Sequence, residues 1–260
     1  MHSLSPPFST NQFARLDRLD ALRGLAMVWM TVFHFAFDLS YLRIWPQDFY
    51  NDPLWTWQRA AIVSLFLWCA GMGQAAASAR HVPLARFMRR WATIAGCALL
   101  VSAGSYFIFP HSYIYFGVLH GIAVMLLVLR LMRSTPAAAL LAAAAVAIAL
   151  PPLYRYLAPE SPAQLVQLLN SKALSPLGLI TIKPRTEDYV PLLPWLGVML
   201  LGFAAGRRVL AMPTAAAWWS KPARGVVSGL AWLGRHSLPY YMMHQLVLLG
   251  TLMLAVQIFR

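Results

Sequence analysis

Apolar residues along the chain gather in blocks of about twenty, separated by short stretches that carry most of the polar side chains. Blocks of this length match an α-helix that crosses the hydrocarbon core of a bilayer. The pattern therefore predicts an all-α integral membrane protein, a bundle of about seven transmembrane helices. The predicted spans are residues 21–41, 56–78, 91–109, 113–132, 137–154, 191–210 and 238–258.

The composition narrows the class of protein further. Of the 260 residues, 60% are hydrophobic and 11% are charged, and the mean hydropathy is +0.60. A soluble domain would carry about 25% charged residues. The sequence also lacks the G-x-S-x-G, P-loop, H-E-x-x-H and Rossmann fingerprints of soluble enzymes. These observations argue against soluble-enzyme chemistry.

The formal net charge of +13 resides mainly at the ends of the apolar blocks. Fourteen Lys and Arg residues lie on one side of the predicted bundle and six on the other, with Arg59 set aside inside the second span. Because basic residues favour the cytoplasmic side, the N-terminus is predicted inside and the C-terminus outside. Topology and anionic lipid account for these charges, so we expect membrane lipids and no nucleic acid as partners.

The chain divides into a lead and one domain. Residues 1–14 are polar and are predicted to be disordered, whereas residues 15–260 form a single transmembrane domain. The longest outer loop, 155–190, contains prolines and could hold short helices. Cys69 and Cys97 lie inside apolar blocks with neither a disulfide framework nor a metal-ligand spacing, so no metal is expected.

The first block carries three ionisable residues, which an apolar helix turns away from lipid. Arg23 and His34 are eleven residues apart and point the same way, with about 16 Å of rise between them. Asp38 is one turn beyond His34, where a carboxylate can fix the tautomer of the imidazole and raise its basicity. The pattern predicts that His34 and Asp38 abstract a proton from an alcohol or amine. A neutral His34 bonded to a neighbouring helix is the alternative.

Two further histidines lie at membrane depth. His120 enters the fourth span from the outer side, where it is either a packed core residue or a second polar group near His34. His244 enters the last span from the cytoplasmic side, where it either lines an inner route or bonds to a backbone carbonyl. Both pairs of alternatives stay open at the level of sequence.

Four stretches in order resemble a known family. RLDRLDALRG (15–24) with His34 eleven residues after Arg23 resembles the first helix of the transmembrane acyltransferase superfamily. The chain is most similar to bacterial relatives of the heparan-α-glucosaminide N-acetyltransferase catalytic domain, a former domain of unknown function. The other matching stretches are YFGVLHGIAV (115–124), DYVPLLPWLGVMLLG (188–202) and WLGRHSLPYYMMHQ (232–245).

This resemblance implies a membrane-embedded acyltransferase in the bacterial inner membrane. Such a protein moves an acyl group, usually acetyl from cytoplasmic acetyl-CoA, to a glycan or other envelope acceptor on the far side. Arg23 and His34 fit the R-x10-H pattern that the broader superfamily uses for donor binding and catalysis. The chain departs from the family pattern in one respect. The animal enzymes carry Asn where His34 stands, and their proposed catalytic histidine lies in the first outer loop. Here that loop, 42–55, has no histidine.

The resemblance and the residues together give one expected site. His34, oriented by Asp38, is the base or a transient acyl carrier, and His120 is a second polar group beside it. Arg23 and Arg235 bind phosphates of the CoA donor, for which guanidinium is well suited, and His244 lines the inner route. The rise from Arg23 to His34 is comparable in length to an extended pantetheine arm.

Other classes of function remain open. A transporter or proton-coupled channel would also use buried Arg, His and Asp side chains, although inverted repeats and paired broken spans are absent. A non-catalytic membrane scaffold is a third class, and it predicts that these side chains scatter without converging. Gly202 and Gly206 form a G-x-x-x-G that serves either a contact within the bundle or a homodimer.

Overall fold

The computed structural model describes residues 15–259, so the predicted disordered lead 1–14 lies outside the described residues. The fold is all-helical. Apart from one isolated bridge between Phe116 and Tyr189, residues 15–259 contain no β-structure. The α-helices are α1 Asp17–Tyr41, α2 Pro53–Ala79, α3 Leu84–Ile108, α4 Val118–Leu131, α5 Ala137–Leu157, α6 Ala163–Asn170, α7 Leu192–Ala211, α8 Pro213–Trp219, α9 Val226–Arg235 and α10 Ser237–Phe259.

Six of these helices, α1, α2, α3, α5, α7 and α10, are long and apolar enough to cross a membrane. They correspond to six of the seven predicted spans. The remaining predicted span, 113–132, is helical only from Val118 onward, and the 14 residues of α4 rise about 21 Å. That length is shorter than a hydrocarbon core of about 30 Å. By length and composition the structure therefore supports six spans, and the count of seven stays a prediction.

Helices α2 and α7 pack so closely that only glycine fits between them. A Cβ on Gly202 would lie 2.4 Å from the carbonyl oxygen of Trp68, and one on Gly206 would lie 2.8 Å from the Cβ of Ala75. Both glycines are buried in this contact. The G-x-x-x-G therefore serves packing within the chain. Because α2 covers this face, the G-x-x-x-G gives no support to the homodimer, which stays a prediction.

A second close contact joins α1 to the short helix α9. A Cβ on Gly24 would lie 1.9 Å from the carbonyl oxygen of Leu230, and one on Gly234 would lie 1.8 Å from that of Asp20. The two glycines let the backbones touch beside Arg23 and Arg235. Neither α8 nor α9 was predicted, because helices of seven and ten residues are too short to stand out as apolar blocks.

The two ends of the bundle differ in composition. The arginine end is the end that holds Arg15, Arg23, Arg90 and Arg235. The loop end is the opposite one, formed by residues 42–52, 109–117 and 161–191. The ring of Tyr41, where α1 finishes, contacts that of Phe109 at the end of α3. The backbone N–H of Val190 donates to Phe116 O, which joins the loops 109–117 and 161–191.

Candidate active site

Ion pairs order the arginine end. Asp20 is buried and accepts from Arg15 at 2.5 Å and from Arg23 at 3.0 Å. Asp17 lies 3.7 Å from Arg235, across the close contact between α1 and α9. The predicted phosphate ligands Arg23 and Arg235 thus already face carboxylates. With Arg90 included, four guanidinium groups meet two carboxylates, and the arginine end keeps an excess of positive charge.

A cavity of about 250 Å³ extends from this end into the bundle. Its charged and polar lining lies mainly where the arginines are, and its deeper walls are apolar. Arg23 lines it, whereas Arg235 is outside its lining. The principal lining residues on α1 to α4 and α10 are Arg23, Met27, Phe66, Gln74, Arg90, Thr93, Ile94, Leu119, Ile122, Leu126, Ser237 and Tyr241.

Two cavity residues have binding capacity that no protein group uses. Within residues 15–259, the guanidinium of Arg90 makes no hydrogen bond or ion pair, and its electrostatic neighbours are Arg23, Asp20 and Arg15. The side chain of Gln74 is 6% exposed, and its Nε2 has no hydrogen-bond partner in the described chain. An unpaired buried polar atom costs about 1–3 kcal/mol. The cavity therefore presents unused donors to an anionic or carbonyl-bearing ligand.

A second polar cluster lies between α1 and α10. The ring centroids of His34 and His244 are 5.1 Å apart, and Gln245 Nε2 donates to Asp38 Oδ1 at 2.7 Å. We call these four residues the histidine cluster. No hydrogen bond joins His34 to Asp38 in the described residues, because Gln245 takes the carboxylate. The prediction that Asp38 orients His34 directly therefore needs correction, and the nearest imidazole partner is His244.

The histidine cluster contains three unpaired acceptors. His244 Nδ1 lies 2.7 Å from Tyr241 O, and because a carbonyl only accepts, Nδ1 donates and Nε2 of the neutral ring is an acceptor. His244 Nε2, Asp38 Oδ2 and Gln245 Oε1 are all buried without a partner among residues 15–258. Each of them accepts hydrogen bonds, so its natural partner is an oxygen or nitrogen that carries protons. A ligand hydroxyl, amine or water fits this arrangement better than an anion does.

Tyr241 separates the two sites. Its side chain lines the cavity, and its ring centroid lies 5.6 Å from that of His244. The preceding residue, Tyr240, bonds through its OH to Thr31 Oγ1 at 2.6 Å and holds α10 against α1. His34 and His244 are not part of the cavity lining. His244 was predicted to line the inner route. In the structure it instead contacts His34, on the side of Tyr241 that faces away from the cavity.

His120 belongs to a different network. The backbone N–H of Gly117 donates to its Nδ1 at 3.2 Å, so the neutral ring carries its proton on Nε2, which lies 3.1 Å from Ser102 Oγ. Ser102 in turn donates to Ile114 O at 2.6 Å. Both ring nitrogens are used to close the start of α4. The structure thus gives His120 a capping arrangement and does not join it to His34 by any contact in the described chain.

Asp188 was missed by the sequence reasoning. Its Oδ2 accepts from the backbone N–H of Val118 at 2.7 Å, and a Cβ on Gly117 would lie 2.3 Å from the same oxygen. Burial raises the pKa of this carboxyl, although the positive charges of Arg59 and Lys183 oppose that shift. Asp188 caps α4 from a loop about seventy residues away. In the sequence, the one feature of Asp188 that indicated such a role was its position directly before an apolar block.

The described residues contain no group of three or more His, Cys, Asp or Glu side chains that could hold a metal ion.

A family model described as "Heparan-alpha-glucosaminide N-acetyltransferase, catalytic" matches residues 15–246. This range includes the cavity and all four residues of the histidine cluster. Neither the comparison with curated proteins nor the comparison with solved structures finds a match.

Proposed function

Since the chain belongs to the heparan-alpha-glucosaminide N-acetyltransferase catalytic family, whose membership implies a membrane acetyltransferase, we propose that it takes acetyl from acetyl-CoA at the arginine end and delivers it to an acceptor at the loop end. The observation that carries this proposal is the cavity, which has unpaired donors at one end and apolar walls beyond them. The family match gives no support to the transporter hypothesis.

The arginine end fits the anionic part of the donor. Phosphates bind guanidinium groups strongly, and Arg90, although Asp20 is an electrostatic neighbour, makes no ion pair within residues 15–259. Arg23 contributes charge and is held in place by Asp20. The neutral pantetheine arm has amide groups on a mainly aliphatic chain, so Gln74 would bond to an amide while Met27, Phe66 and Ile122 line the walls. Arg235 orders Asp17 in this scheme and contacts no ligand.

The histidine cluster supplies the proton chemistry. The nucleophile attacks the thioester carbonyl carbon, the carbon–sulfur bond breaks, and the sulfur leaves as the thiol of CoA. His34 takes the proton from the attacking N–H or O–H group and returns a proton to the leaving sulfur. The ring of His244 lies 5.1 Å from that of His34, and Gln245 holds Asp38 in place. A transient acyl group on His34 is a variant of this route.

The unpaired atoms favour an amine over a hydroxyl as acceptor. His244 Nε2, Asp38 Oδ2 and Gln245 Oε1 accept hydrogen bonds, and an amine nitrogen carries more donors than a hydroxyl oxygen does. A glycan amine of the bacterial envelope would satisfy them on arrival from the loop end. We therefore propose an amine, in preference to a hydroxyl, as the group that is acetylated.

Topology completes the proposal. We place the arginine end in the cytoplasm, since basic residues concentrate there, and the protein as a multi-pass component of the bacterial inner membrane. Helix α4 would count as the seventh crossing segment. Its start lies at the loop end, and Arg130 near its end donates to Val82 O in the link between α2 and α3, at 3.2 Å. The N-terminus would then be inside and the C-terminus outside.

The test uses purified protein in lipid nanodiscs with acetyl-CoA and D-glucosamine as a model amine. We expect acetyl-CoA to raise the melting temperature and CoA thiol to be released as the amine is acetylated. N-acetylglucosamine, which lacks the free amine, is the matched control and should support little release. If millimolar acetyl-CoA neither stabilises the protein nor is consumed, the enzyme proposal is wrong.

A further inference from the structure

A separate pocket of about 400 Å³ opens at the loop end, between the segment after α3 and the loops around α6. Its volume falls within the range of about 300–1,000 Å³ that small-molecule sites occupy. The lining combines two tyrosine rings with three basic or imidazole side chains. The residues used below are His111, Tyr113, Tyr115, Asn170, Lys172 and Arg185.

The charge of this pocket is one-sided. Lys172 and Arg185 contribute positive charge, and the described lining contains no carboxylate. The nearest acids along the chain are engaged elsewhere, because Glu187 accepts from Ser112 Oγ at 2.5 Å and Asp188 caps α4. Arg185 is exposed and makes no hydrogen bond or ion pair within residues 15–259. The pocket therefore has free capacity for an anion.

The aromatic wall is fixed before any ligand arrives. Tyr115 OH bonds to Ser175 Oγ at 2.7 Å, and Tyr189 OH donates to Ser175 O at 2.6 Å, around a serine that is buried. The Lys172 ammonium lies 4.2 Å from the Tyr113 ring centroid and donates to the hydroxyl of the same residue. Lys172, which lines the pocket, is thereby held over this wall.

The opposite wall is also built by side-chain bonds. Asn170 Oδ1 accepts from the backbone N–H groups of Thr181 and Ile182 at 3.0 and 3.1 Å. Its Nδ2 donates to Thr181 Oγ1 at 2.8 Å. This staple joins the end of α6 to the segment that leads to Arg185, so the basic groups keep their spacing. A preformed wall lowers the entropy that a ligand must lose on binding.

We propose that the loop-end pocket binds a sugar unit that carries an anionic substituent, and so selects acceptors that bear such a unit beside the group to be acetylated. This proposal rests on the proposed function for its biological meaning, because the loop end is where the acceptor would arrive. Tyr113 and Tyr115 line the pocket beneath the Lys172 ammonium and contribute aromatic surface beside the bound sugar. Lys172 and Arg185 pair with a carboxylate or a phosphate ester.

The test is saturation-transfer NMR and titration of the nanodisc protein with three probes: glucose 6-phosphate, glucuronate and uncharged glucose. We expect the two anionic sugars to bind at least about tenfold more tightly than glucose, which corresponds to about 1.4 kcal/mol. The Lys172→Gln, Arg185→Gln double variant should lose this preference. Lys221→Gln, Arg224→Gln removes the same charge from the arginine-end segment and should keep it.

Equal binding of all three probes, or loss of the preference in the Lys221/Arg224 control as well, would overturn the proposal. A preference for only one of the two anionic sugars would support it and name the substituent. These titrations need no acetyl-CoA, so they fail or succeed independently of the enzyme proposal. A melting temperature of the Lys172/Arg185 variant close to that of the unsubstituted protein would show that the variant is folded.

Discussion

Two histidine sites within the helical bundle are built in opposite ways. At His120 both ring nitrogens are bonded, to Gly117 and Ser102, and the network ends on a carbonyl of the same end of the bundle. In the histidine cluster, His244 Nε2, Asp38 Oδ2 and Gln245 Oε1 are buried without partners among the described residues. Both sites look alike in sequence, as a histidine in an apolar block. Their hydrogen-bond balance is what separates a structural site from one that can bind and react.

The largest expected effect comes from the histidine cluster. His34→Gln keeps a polar side chain of similar size but removes the base, and general-base catalysis contributes about 10²–10⁴-fold. We expect kcat for acetyl transfer to glucosamine to fall at least about 100-fold, which is about 2.7 kcal/mol. The measurement is CoA thiol release in nanodiscs. Unchanged kcat in this variant would remove His34 from the mechanism.

The next effect concerns the contact that holds the arginine end together. Gly24→Ala places a Cβ 1.9 Å from Leu230 O, so α1 and α9 must separate. Overpacking of this kind costs about 1–3 kcal/mol, and we expect a clear fall in melting temperature. Gly96→Ala is the control, because a Cβ there meets nothing within 4 Å. A Gly24→Ala protein as stable as the Gly96→Ala protein would contradict this account of the contact.

Arg90 gives a smaller and more selective effect. Arg90→Gln removes an unpaired cation from the cavity, so we expect KM for acetyl-CoA to rise about tenfold with kcat little changed, about 1.4 kcal/mol. Arg86→Gln removes an exposed arginine of the same helix that lies outside the cavity lining and should leave KM unchanged. Equal effects of the two substitutions would point to general surface charge instead of a donor site.

The smallest effect is expected at His120. His120→Ala removes the side chain that accepts from the Gly117 N–H at the start of α4, and loss of a helix cap costs about 1 kcal/mol. We expect a lower melting temperature and nearly unchanged kcat and KM per folded molecule. A loss of kcat comparable with that of His34→Gln would mean that the contrast between the two histidine sites is wrong.

The sequence could predict the features that depend on local patterning. Apolar blocks located six of the helices, and the spacing of Arg23 and His34 put both on one face of α1, next to the cavity and the histidine cluster respectively. The family suggested by the resemblance of RLDRLDALRG and three later stretches is confirmed by the family model that matches residues 15–246.

Features that depend on distant partners could not be read in this way. Asp38 was assigned to His34 because the two are one turn apart, yet Gln245, 207 residues away, takes the carboxylate. In the sequence Arg90 is one of many basic residues at the ends of apolar blocks. Only the folded chain shows that it lines a cavity formed by five helices, including its own. Gly24 and Gly234 carried no signal of their own, because each matters only through the backbone that the other helix presents.

The central claim is that the cavity behind Arg90 and the histidine cluster serve one reaction. The most direct measurement is a structure of the nanodisc protein with a thioether analogue of acetyl-CoA, in which a methylene group between the sulfur and the carbonyl carbon prevents transfer. The account predicts the phosphates at Arg23 and Arg90 and the acyl carbon beside His34 and His244, with Tyr241 moved aside. An acyl carbon that stops on the cavity side of Tyr241, or a nucleotide bound at the loop end, would contradict it.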